Sequence, residues 1–184
     1  AYDGIMAAYT DASRKNGKKY IPLIKNATQL YVIERGALCG VVLDGSYNLT
    51  EANYKTSLQN MVDRVLITDK DGNQIGVVED TAAQQKYGVV QTVYKQEDGK
   101  DAQTEAKALL QTLEQTGSVT GCQGDSRAVS GYALIVQETT TGLFGKFYIE
   151  SDTHTFTDGK HEMALTLAFS NMMDEKEIEN QSQG

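Results

Sequence analysis

The chain contains no tryptophan, one proline (Pro22), two cysteines and two histidines. Each scarcity excludes something. Cys39 and Cys122 are far apart and match no CxxC spacing, so neither a zinc ribbon nor a thioredoxin-like motif is encoded. They read as reduced, half-buried thiols of an intracellular product. His154 and His161 are the only imidazoles, too few for a histidine-rich metal site. No apolar run approaches about 18 residues, so no segment reads as a membrane span. Basic residues are outnumbered by acidic ones, 17 to 25, and the net charge is −8. The densest basic stretch, RKNGKK at 14–19, sits at a helix end. Specific nucleic-acid recognition is therefore not expected, because a basic footprint is missing. Neither G-x-x-x-x-G-K-[ST] nor G-x-G-x-x-G occurs. The first residue is Ala and no apolar leader follows; the expectation is a piece of a longer protein, without a secretory signal. Three N-x-S/T sequons (Asn26, Asn48, Asn180) carry no weight without secretion.

What is present is short, alternating and turn-punctuated. Gly4–Asn16 reads as a helix with Asp3 as cap, an Ile5, Ala8, Tyr9 and Ala12 stripe, and Gly17 at its end. KKYIPLI, QLYVIERG and LCGVVLDG read as strands, the first an edge because of Pro22. Residues 1–45 are thus expected to form a small helix-plus-sheet domain. SYNLTEANYKTSLQN (46–60) is polar and reads as a connection. MVDRVLITDKDGNQIGVVED predicts a hairpin turning at DKDGN. DTAAQQKYG predicts a short helix capped by Asp80 and ended at Gly88, and VVQTVYKQ a further strand. DAQTEAKALLQTLEQTG predicts a helix over about 101–117, with Ala102, Ala106, Leu109, Leu110 and Leu113 on one stripe. SVTGCQG, GYALIVQE and GKFYIESDTHTF predict strands; residues 171–184 read as a polar, flexible tail.

The candidate chemistry lies in SDTHTFTDGKHEMALTLAF (151–169). Its Asp158-Gly159 pair predicts a two-residue hairpin turn. Thr157 then faces Lys160, Phe156 faces His161 and His154 faces Met163. Alternation puts Asp152, His154, Phe156, His161, Met163, Leu165 and Leu167 on one face. The two imidazoles become diagonal neighbours, with β-carbons roughly 7–8 Å apart. A zinc site needs three or four ligands and this face adds only Asp152, so the histidines read as half-buried structural residues and no metal ligand is assigned.

A rival reading takes Gly124-Asp125-Ser126 as a lipase-like nucleophile block and Asp158-x-x-His161 as its acid–base block. Ser126, His161 and Asp158 would then form a triad of a small serine hydrolase. That family normally places an α/β sheet between the two blocks. Here only residues 127–157 intervene, and the turn uses Asp158.

The order of segments carries more information than any single motif. SYNLTEANYKTSLQNMVDRVLITDKDGNQIGVVED, KYGVVQTVYKQEDGKDAQTEAKALLQTL and GDSRAVSGYALIVQETTTGLFGKFYIESDTHTFTDGKHEMALTLAF occur in that order. Over residues 46–170 they resemble the C-terminal part of baseplate hub proteins of contractile phage tails, those of PBSX-type defective prophages most of all. Phage late-control proteins and type VI spike proteins are more distant relatives. The resemblance implies an α+β, mainly antiparallel β fold, with a tube-like β-barrel over 46–170. It implies a structural virion protein, made in the bacterial host cytoplasm, with no catalytic residue and no cofactor. Implied partners are further copies of itself in a homotrimer, the spike protein, the tail tube and other baseplate proteins, without membrane insertion. A type VI-like spike head of the same fold is the alternative. Full hubs are longer and carry another barrel upstream.

Overall fold

The computed structural model describes residues 2–177. Its elements run α1 (Tyr2–Asn16), β1 (Tyr20–Lys25), β2 (Gln29–Glu34), β3 (Leu38–Asp44), β4 (Glu51–Ser57), β5 (Arg64–Thr68), β6 (Gln74–Glu79), α2 (Thr81–Tyr87), β7 (Gln91–Lys95), α3 (Ala102–Ala108), β8 (Glu114–Gln123), β9 (Ala133–Glu138), β10 (Leu143–Thr157) and β11 (Lys160–Ala168). The class is α+β, with mostly antiparallel strands. The described chain divides into two compact units. One comprises the residues up to Lys55 together with those from Thr116 onward; the other is Thr56–Gln115.

In the first unit six strands lie in the order β3-β9-β10-β11-β8-β4. From β9 through β10 and β11 to β8 the neighbours are antiparallel, whereas β3 runs parallel to β9. β10 is shared along its length. Leu143–Tyr148 pair with β9, and Tyr148–Thr157 pair with β11. Gly145, at φ 132°, and a bulge between Ile149 and Ser151 fall in this long strand. Both features let a strand bend.

Val41, Leu43, Val119, Leu134, Val136, Phe147, Ile149, Leu165 and Leu167 form one buried cluster. They come from five strands of a single sheet, so the sheet curls over its own apolar face. Leu143 on β10 reaches the Cα side of Gly117 on β8, where an added methyl would lie 3.2 Å from its Cδ2. The expected tube-like barrel is corrected here: among the described residues the sheet stays open, with β3 and β4 as its two edges.

The expected boundary at residue 45 is also corrected. β3 belongs to the six-stranded sheet through β9, a pairing of segments nearly a hundred residues apart that no local pattern reveals. The expected strands KKYIPLI and QLYVIERG form, as β1 and β2, a two-stranded antiparallel sheet with Pro22 opposite Val32. α1 begins at Tyr2, so Asp3 lies in its first turn rather than at a cap. Its buried face is Met6, Ala7, Thr10 and Ser13, one position round from the predicted stripe. The reason is the cover that this face receives. Lys176 N donates to Thr10 Oγ1, Tyr2 Oη to Asp174, and Arg14 and Lys19 pair with Glu177 and Glu175. Residues 171–177 of the expected flexible tail are thus held against α1 and β1; residues 178–184 lie outside the described residues.

In the second unit β5 is central, antiparallel to β6 and parallel to β7. The DKDGN turn and the α2 cap form as expected: Asp80 accepts from Ala82 N and Ala83 N. The predicted helix over 101–117 ends at Ala108. Leu109 is exposed, Gln111 bridges to Val62, and Glu114 opens β8. Strand partners for Thr116–Val119 on β11 outweigh the helical periodicity. SYNLTEANYKTSLQN contains β4; its polarity is that of an exposed edge, not of a loop.

Candidate functional site

The β10–β11 hairpin has the register read from its Asp-Gly turn. Thr157 is opposite Lys160, Phe156 opposite His161 and His154 opposite Met163. Asp158 and Gly159 both have positive φ, 50° and 74°, as a type I′ turn requires. This places both imidazoles on one face, and the structure brings them into direct contact. His154 Nδ1 and His161 Nε2 are 2.8 Å apart. His154 Nε2 lies 3.0 Å from the carbonyl oxygen of Ala128.

A carbonyl only accepts, so His154 Nε2 carries the proton. In a neutral His154, Nδ1 is then the acceptor and His161 Nε2 the donor. Asp152 Oδ2 stands 3.5 Å from His154 Nε2, while Asp152 Oδ1 accepts from Ser130 N at 2.6 Å. Phe156 stacks on His161 with centroids 4.1 Å apart.

The loop 124–131 completes the site, and sequence reading missed its part. Gly124 N donates to the His161 carbonyl at 2.8 Å, and the His161 ring lies against Gly124 itself. A β-carbon there would sit 2.2 Å from the ring. Asp125 accepts from Arg127 N, Nε and Nη2. Those Arg127 contacts, with a smaller contribution from His161, hold the Asp125 carboxyl down to about 2. The available signal was the composition of GDSRAVSG, which is that of a turn-forming loop.

The hydrolase constellation does not assemble. His161 Nε2 is hydrogen-bonded to His154 Nδ1, and Asp158 occupies the hairpin turn. Among the described residues Ser126 makes no hydrogen bond to His161. It lines an open cleft of about 700 Å³ beside Leu23, Ile24, Leu38 and Tyr132. Nor, among the described residues, do three or more His, Cys, Asp or Glu side chains group as metal ligands. No described helix is long and apolar enough to cross a membrane. What this arrangement does chemically is fasten: it ties the hairpin to the 124–131 loop through a chain of half-buried hydrogen bonds.

The model of the YQBQ-like family matches residues 1–168. The phage-like element PBSX protein XkdQ of Bacillus subtilis (strain 168) is 26% identical over 192 residues, covering 95% of this chain and 56% of XkdQ. Among solved structures, the 43 kDa tail protein of prophage MuSo2 from Shewanella oneidensis superposes with a TM-score of 0.56 at 14% identity, over 81% of this chain and 50% of that one. A tail protein from Neisseria meningitidis MC58 gives 0.51 at 14% identity, over 89% and 54%. The fold is therefore similar to that of phage tail proteins, and the chain spans about half the length of these relatives.

Proposed function

Because the chain belongs to the YQBQ-like family, we propose that it is a structural component of a phage or phage-like tail. The finer reading is the baseplate hub of a contractile tail. There, three copies of the full-length protein form a ring that joins the tail tube to the spike. The observation that carries the reading is the match along 95% of the chain to a protein of phage-like element PBSX. The ring, spike and tube contacts belong to a protein longer than this chain, and they are part of the proposal.

Two physical features support it. The six-stranded sheet is open, and sheet edges are natural assembly surfaces. A net charge of −8 suits a conduit that phosphates pass without sticking. The histidine pair, on this reading, stabilises a hairpin and has no chemical step to perform.

Immunogold electron microscopy tests the assignment. Antibodies raised against this chain are applied to tail particles induced from the host. Labelling at the baseplate end is the expected result. Label distributed along the tail overturns the hub placement, and particles free of label overturn the tail assignment itself.

A further inference from the structure

The contact between His154 Nδ1 and His161 Nε2, 2.8 Å long, needs one nitrogen to donate and the other to accept. A neutral pair meets that need. So does a pair holding one added proton, whichever ring carries the charge, because the neutral ring still offers an acceptor. A pair holding two added protons does not. Both facing nitrogens are then N–H donors, and the two charged rings repel. The number of protons on the pair therefore decides whether the bond exists.

The surroundings hold the two rings unequally. His154 keeps a partner in every state, because its Nε2 faces the Ala128 carbonyl at 3.0 Å, with Asp152 Oδ2 at 3.5 Å. Among the described residues the His161 ring has no hydrogen-bond partner other than His154. Otherwise it is kept in place by its stack on Phe156 and its seat against Gly124. Beside it lies an open cleft of about 430 Å³, lined also by Tyr47, Thr50, Gln123, Lys160 and Glu162. His161 has room to leave, and His154 is held.

The charged groups around the pair come from both strands and the loop. Asp152 of β10 stands by His154. Asp125 of the 124–131 loop, bound by Arg127, is close enough to His161 for the two to attract. Lys160 and Glu162 flank His161 on β11 and alternate to the other face. Tyr47 and Cys122 are the titratable groups on the remaining walls of the cleft. Two carboxylates thus supply counter-charge, one beside each ring. Neither supplies the acceptor that the bond between the rings loses.

We propose that His161 is a proton-driven latch. Its ring is seated between Phe156 and Gly124 while the pair holds one added proton or none, and it swings into the cleft when both imidazoles are charged. The latch is a property of this chain and does not rest on the tail reading.

Nuclear magnetic resonance of the whole chain, titrated between about pH 8 and 5, where imidazoles take up protons, tests it. Imidazole nitrogen shifts count the charges, and cross-relaxation between the His161 and Phe156 rings reports the seat. This contact is expected to survive the first charge and to disappear with the second. The Gly131 amide, bonded to the Ile149 carbonyl, keeps its native signal throughout. His154→Gln is expected to keep His161 seated across the range, because an amide carbonyl accepts from His161 Nε2 whether or not that ring is charged.

A contact that persists with both rings charged overturns the proposal. So does one lost at the first charge, or a pair that never takes its second proton by the acid end of the range. Loss of the Gly131 signal together with the contact overturns it too, because that is unfolding. Release of His161 in His154→Gln over the same range has the same consequence; if that variant does not fold, the titration of the parent decides alone.

Discussion

His161 Nε2 and His154 Nδ1 are hydrogen-bonded across 2.8 Å, and the Nε2 of His154 in turn meets the carbonyl of Ala128. The two residues are seven apart in sequence and meet because a two-residue turn folds one strand onto the other. The bond links β10 to β11, and its continuation links β10 to the 124–131 loop. A hairpin, a loop and a stacked Phe156 ring are thereby joined through two side chains.

That chain of contacts sets the cost of removing a member. His154→Ala and His161→Ala are each expected to destabilise the protein by about 1–2 kcal/mol, from one or two hydrogen bonds and, for His161, the ring stack. In a double-mutant cycle the pair should show a coupling of about 1 kcal/mol, read from urea unfolding. Additive losses would show that the bond contributes nothing.

Gly124 is expected to be intolerant of a side chain. Its β-carbon would lie 2.2 Å from the His161 ring, so the ring must leave its place. Gly124→Ala should cost about 1–3 kcal/mol, the range of forced overpacking. In the His161→Ala background the same change should cost much less. Equal losses in both backgrounds would place the effect in the backbone instead.

Glu138 gives the protein an acid-sensitive turn. The Thr141 hydroxyl, then Thr141 N and Thr140 N, donate to its carboxylate. They hold it down to about 2. A carboxyl depressed on folding adds stability that is present above its unfolded range, about 4.3, and is lost as pH falls through the folded value. Glu138→Gln is therefore expected to be less stable than the parent near neutral pH. The gap should narrow below about pH 4 and close near 2, followed by thermal unfolding across that window. A gap unchanged by pH would remove the carboxylate as its cause.

The thiols should react unequally. Cys122 is buried in the core cluster, and burial pushes its thiol up to about 11. Cys39 is partly exposed. An aromatic disulfide reagent at mildly alkaline pH should label Cys39 in the folded protein and both thiols after unfolding. Fast labelling of Cys122 in the Cys39→Ser variant would contradict its burial.

The serine hydrolase alternative makes the opposite claim about Ser126. The chain is expected to leave a nitrophenyl ester intact, because His161 Nε2 is hydrogen-bonded to His154 and not to Ser126. Turnover that disappears in Ser126→Ala would reinstate the triad reading.

Much of this was legible beforehand for one physical reason: local chemistry sets local geometry. Asp158-Gly159 favours positive φ at two successive residues, and that alone placed Phe156 opposite His161 and both imidazoles on one face. Asp80 and Gly88 bounded α2 in the same way. The failures share a cause as well. Residues 109–117 continue a helical stripe, yet Thr116–Val119 pair with β11, roughly fifty positions later. The α1 face was misplaced by one position because its cover comes from residues 171–177, beyond any local window.

The sequence by itself determined the α+β class, the turns, the hairpin register and the order of segments through which the chain resembles tail proteins. These depend on backbone preferences and alternation within a few residues. Only the tertiary structure decided that β3 joins β9, that the sheet remains open, that the Ser126 hydroxyl and His161 are not partners, and that the Asn48 amide bonds to the β3 edge. Each of those outcomes is a contact between distant segments. Its energy depends on what else is available to pair, and no short stretch of sequence carries that information.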